Sequence, residues 1–126
     1  MAFSETLVEH FQAPRNRCAM EGSDAEAEEE NPVCGDRLHL WLRVRDGRIV
    51  AASWEGEGCA PAIAAASVLT ELVTGMDLGE ARDFGPDTLS QALGGLPPRK
   101  GHAATLAIDT LQQALQAYQD RGGRNT

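Results

Sequence analysis

The chain has 126 residues, 42% hydrophobic and 24% charged, which bounds it to one domain of ordinary size (1–126) able to bury a single core. Nineteen acids against eleven bases leave a formal charge of −8, a balance that repels nucleic acid and anionic membrane surfaces and excludes both as partners. No apolar run approaches the roughly 20 residues of a membrane span, and "MAFSETLVEH" lacks the basic and apolar regions of a signal peptide. The expectation is a cytoplasmic protein. Cys18, Cys34 and Cys59 are an odd count for a reducing compartment, so they point to metal or thiol chemistry rather than to disulfides.

The first stretch, "SETLVEHFQAPRN", predicts a short helix capped by Ser4, with Leu7, Val8 and Phe11 on its apolar face and Pro14 as its stop. "EGSDAEAEEE" is dense in acids and nearly free of large apolar groups, and reads as a solvated loop or a poorly ordered segment. From residue 37 the period becomes two. In "RLHLWLRVR", Leu38, Leu40, Leu42 and Val44 face one way while Arg37, His39, Trp41, Arg43 and Arg45 face the other, as in a half-buried strand. Asp46-Gly47 is a hairpin turn signal, because both central residues of a type I′ turn need positive φ. "RIVAASWEG" returns, and the sheet is antiparallel.

Everything after Cys59 predicts helices. "PAIAAASVLTELVTG" runs about four turns, with Pro61 tolerated in the first turn and Gly75 ending it. "DLGEARDF" and "PDTLSQALGGL" are two short helices opened by an acid and a proline. After Pro97-Pro98 a long helix carries Ala104, Ala107, Ile108, Leu111, Leu115 and Tyr118 on one stripe. Strands first and helices afterwards make an α+β fold.

Three places carry chemistry. Cys34 sits in "NPVCGD", and Asp36 two residues on shares its side if the backbone is extended. Cys59 sits in a glycine turn at the mouth of a helix, where unpaired N–H groups and the helix dipole lower a thiol pKa. Gly56 and Gly58 leave room there for a ligand to approach. His102, in "LPPRKGHAATL", stands near the start of the last helix. Two thiols, a carboxylate and an imidazole suit a tetrahedral zinc ion, and mixed thiolate and imidazole ligands also suit an iron–sulfur cluster. None of the spacings is C-x-x-C, so spacing alone leaves room for buried structural cysteines and a surface histidine.

"NPVCGD", "GEGCAPAIAAASVLTELVTG" and "LPPRKGHAATLAIDTLQQAL" follow one another in the order of the iron–sulfur cluster assembly scaffolds of the NifU N-terminal, or IscU-like, family, and "EHFQAPRN" resembles that family's N-terminal segment. The resemblance implies a small antiparallel β-sheet packed against several helices, with a long C-terminal helix. It implies a scaffold or carrier without turnover of its own, which accepts sulfur from a cysteine desulfurase and binds zinc, iron or a labile [2Fe–2S] cluster. Carried over residue by residue, it makes Cys34, Asp36, Cys59 and His102 the metal ligands, with Cys34 and Cys59 holding the cluster if one forms. It makes Leu96, Pro97, Pro98, Arg99 and Lys100 a docking segment for a chaperone. The chain also departs from the family pattern. Ala103 occupies the place of the third cysteine, Cys18 that of a glycine, and "AEAEEENP" weakens the first strand. Cys18 is a candidate substitute ligand. Two other readings stand beside the scaffold: a degenerate member that binds partners without a cluster, and a thiol enzyme with Cys59 as nucleophile, His102 as base and Asp36 as orienter.

Overall fold

The computed structural model describes residues 3–32 and 35–122. Strands β1 (Ala25–Asn31), β2 (Asp36–Arg45) and β3 (Arg48–Glu57) form an antiparallel sheet in that spatial order. β2 buries Leu38, Leu40, Leu42 and Val44, the alternation expected of it. Asp46 and Gly47, at φ 53° and 75°, make the expected left-handed turn into β3. Helices follow: α1 (Glu5–Gln12) lies before the sheet in sequence, and α2 (Ala60–Val73), α3 (Leu78–Asp83), α4 (Pro86–Ala92) and α5 (Gly101–Asp120) come after it, with a 3₁₀ turn at Pro98–Lys100.

The acidic segment is not a loop. Residues 25–31 form the edge strand β1, in continuous register with β2 from Ala25↔Leu42 to Asn31↔Asp36. Its composition hides the strand because the inward positions Ala25 and Ala27 are small. The outward glutamates are met across the sheet, Glu26 by His39 at 2.6 Å and Glu28 by Arg37 at 2.7 Å. Opposite charges on neighbouring strands offset the self-repulsion that makes such a run look disordered.

α1 starts at Ser4 as expected, the hydroxyl accepting the Leu7 N–H at 3.0 Å. Its buried face differs from the predicted one. Leu7 and His10 are buried, while Val8 and Phe11 stay exposed. The reason is a polar seam against α2, where Ser67 is fully buried and its Oγ lies 2.7 Å from His10 Nδ1. α2 packs Ala64, Ala65, Ala66, Leu69 and Val73 into the core, and α5 packs its predicted stripe. The alanines let the two helices approach each other and the sheet closely, so the ends that carry chemistry can meet.

Between α1 and the sheet, residues 14–17 run along the free edge of β3 as a strap. The Trp54 backbone N–H donates to the Asn16 carbonyl at 2.9 Å, and the Trp54 indole N–H donates to the Arg15 carbonyl at 2.8 Å. The Asn16 amide donates to Thr70 of α2 at 3.2 Å. Among the described residues no helix is long and apolar enough to cross a membrane.

Candidate metal centre

Asp36 opens β2, Cys59 is the N-cap of α2, and His102 lies in the first turn of α5. One ligand atom from each lies within 4.8 Å of the other two. The hub is Asp36, which is 1% exposed. Its Oδ1 accepts the Cys59 N–H at 3.1 Å, and its Oδ2 lies 3.8 Å from Cys59 Sγ and 3.2 Å from His102 Nε2. This buried carboxylate accepts one backbone N–H and one long, weak bond from the thiol, and a buried charge so sparsely met is costly without a cation or proton beside it.

Gly58 makes the seat for that carboxylate. A Cβ at Gly58 would stand 2.3 Å from Asp36 Oδ1, and the residue's φ of +152° is itself strained for any L side chain. Two residues earlier a Cβ at Gly56 would stand 2.2 Å from the Arg37 carbonyl oxygen, so β3 can pass this close to β2 only as glycine.

His102 is oriented from behind. Its Nδ1 lies 3.2 Å from the Arg99 carbonyl, which can only accept, so Nδ1 carries a proton toward it and the ring is turned to aim Nε2 at Asp36. That Nε2 is buried and makes no hydrogen bond, although Asp36 Oδ2 is close by. The two atoms face each other at 3.2 Å, a distance that suits a positive centre between or beside them, whether a proton or a metal cation. With the Cys59 sulfur they form a mixed O, N and S set, which matches zinc or iron.

The thiol itself corrects an expectation. Burial pushes the Cys59 pKa up, the Asp36 carboxylate adds to the rise, and the Ala62 amide and the Lys100 ammonium pull it down without overcoming it. The helix end thus does not supply a free thiolate, because the same turn that places the sulfur also desolvates it. A cation taking the place of the thiol proton would reverse the balance.

Of the other expected site residues, Cys34 lies outside the described residues. Cys18 is exposed and does not join the group. Ala103 is buried and lines a small cleft with Arg37, Glu57 and Ala62. Pro97, Arg99 and Lys100 line a groove of about 340 Å³ with Phe3, and Leu96 packs partly against the core. A second groove, of about 330 Å³, opens beside His102 between Glu29, Glu30 and Asp109. Sequence reasoning missed the Arg99 carbonyl that orients the His102 ring, because backbone acceptors leave no trace in residue identity.

Residues 2–125 match the model of the NifU-like N terminal domain. The chain belongs to that family. It is 38% identical over 122 residues to the iron–sulfur cluster assembly scaffold protein IscU 1 of Archaeoglobus fulgidus, a match covering 97% of this chain and 80% of that one. It is 34% identical over 125 residues to the iron–sulfur cluster assembly scaffold protein IscU of Escherichia coli K12, covering 96% of this chain and 97% of that one. The crystal structure of a nitrogen-fixing NifU-like protein (N-terminal) from Brucella abortus superposes with a TM-score of 0.76 at 21% identity, covering 94% of each chain. The sheet, the helices and the long α5 are therefore the fold of the NifU-like N terminal domain.

Proposed function

We propose that the chain, a single domain over 1–126, is an iron–sulfur cluster assembly scaffold that carries a metal ion, iron or zinc, or a labile [2Fe–2S] cluster. Its ligands are Asp36, Cys59 and His102, with Cys34 as the fourth donor. The observation that carries the reading is the buried His102 Nε2, without a hydrogen-bond partner, facing the buried Asp36 carboxylate beside the Cys59 sulfur, so that an N, an O and an S donor lie within reach of one cation. The carboxylates of Glu29, Glu30 and Asp109 beside His102 would draw a cation toward it. Sulfur would arrive from a cysteine desulfurase, and the Leu96, Pro97, Pro98, Arg99 and Lys100 segment would dock a chaperone. The chain would work in the cytoplasm. That the relatives are iron–sulfur cluster assembly scaffold proteins supports a scaffold over an enzyme, and the raised pKa of Cys59 gives no support to a thiol nucleophile. The test is metal analysis of freshly and anaerobically purified protein. Wild type is expected to hold stoichiometric metal, and Cys59→Ser or Cys34→Ser to lose it. Unchanged metal content in both variants would place the site elsewhere.

A further inference from the structure

Three elements meet at the exit of β3, where the backbone must leave the sheet and deliver Cys59 to the mouth of α2. Asp36 fixes the far end of that turn through the Cys59 N–H. The near end is Gly56, pressed against the Arg37 carbonyl of β2 on one side. On its other side β3 has no neighbouring strand among the described residues, and the Gly56 carbonyl accepts instead from Arg17 Nη2 at 2.8 Å. The Arg17 guanidinium lies 4.9 Å from the ring centre of Trp54, a core residue 1% exposed, and its Nε lies 3.6 Å from Glu55. Arg17 in turn belongs to the strap whose Asn16 and Arg15 carbonyls are tied to Trp54. The guanidinium is thus held by a buried aromatic face, a carboxylate and its own backbone, and it directs a further donor to the strand end that leads into the thiol turn.

We propose that Arg17 is a positioning residue for Cys59. The inference rests on the reading of Cys59 as a metal ligand. A charge-assisted bond to Gly56 fixes where the turn begins, and Asp36 fixes where it ends. Between Gly56 and Gly58 stands only Glu57, the exposed last residue of β3. With both ends pinned, the sulfur reaches the Asp36 and His102 donors without the turn having to be ordered when the cation arrives. Arg17 touches neither the sulfur nor the cation, so it acts through the backbone alone.

The experiment compares Arg17→Met and Arg17→Lys with wild type. The melting temperature of the metal-free forms serves as the control for general damage. In competition with a chelator, Arg17→Met is expected to bind zinc about tenfold more weakly, the size typical of lost support behind a ligand, and Arg17→Lys to recover part of the loss. The cobalt-substituted variant should show a shifted thiolate-to-metal charge-transfer band. In metal-free protein, iodoacetamide should alkylate Cys59 faster in Arg17→Met than in wild type, read at that peptide by mass spectrometry. Wild-type zinc affinity together with a wild-type alkylation rate would overturn the proposal. If wild type itself binds no zinc, the metal reading fails, and the alkylation rates still decide whether Arg17 holds the turn. If Arg17→Met does not fold, Arg17→Lys carries the comparison, and full wild-type behaviour there in both measurements would count against the fork-shaped guanidinium as the latch.

Discussion

Gly58 shows how one missing side chain decides the chemistry. The Asp36 carboxylate occupies the space where a Cβ would be, and the backbone there is in a region that only glycine adopts freely. Gly58→Ala is therefore expected to cost about 1–3 kcal/mol of metal-free stability from backbone strain. It should also displace Asp36 from Cys59 and weaken metal binding. Urea unfolding in the presence of a chelator measures the first effect, and chelator competition the second. A variant with wild-type values in both would show that the carboxylate has another seat. At this scale the sequence was partly legible. Glycines around a cysteine announce a backbone that something approaches closely, and the approaching group turns out to be Asp36 itself. The orientation of His102 and the role of Arg17 were not legible, since both depend on carbonyl groups whose direction only the folded chain defines.

At the scale of elements, the docking of α1 on α2 turns on a buried histidine. His10 Nε2 lies 3.6 Å from Glu71 and Nδ1 lies 2.7 Å from Ser67 Oγ, which also accepts the Arg15 N–H at 2.8 Å. Burial lowers the His10 pKa from 6.5, the Arg15 cation lowers it further, and Glu71 and Glu9 oppose them. The folded state therefore binds this proton less readily than the unfolded chain. The corresponding stability is fully present above pH 6.5 and is lost as the pH falls from 6.5 through the lowered folded value. Denaturant midpoints of metal-free protein should fall across that window in wild type and fall less in His10→Gln. Equal slopes would mean that His10 does not couple to folding. The amphipathic pattern of α1 put Val8 and Phe11 inside because apolar spacing was the only signal available, whereas the actual contact is a polar pair linking residues far apart in the chain. β1 misled for the related reason that its glutamates are balanced by partners on β2. β2, the Asp46-Gly47 turn and the α5 stripe were legible because local period and turn chemistry alone determine them.

Over the whole molecule, the three donors belong to the start of β2, the β3–α2 turn and the start of α5, so a bound ion would tie the sheet to both core helices at once. The unfolded chain cannot hold these donors together, and a cation that binds only the native state adds stability by mass action. At a free concentration about 100 times the dissociation constant the gain is about 2.7 kcal/mol, which for a domain of this size is a rise in Tm of roughly 10 °C. The gain has a local source as well, because the ion would bond the buried His102 Nε2, which has no hydrogen-bond partner, and set a full positive charge beside the buried Asp36 carboxylate. Thermal melts of zinc-loaded and chelator-treated protein check this directly, with Cys59→Ser as the control that should melt alike in both conditions. A common midpoint for wild-type protein verified as loaded and as metal-free would mean that the ion sits where the chain is already indifferent to it, and the convergence of β2, α2 and α5 would then need another cause.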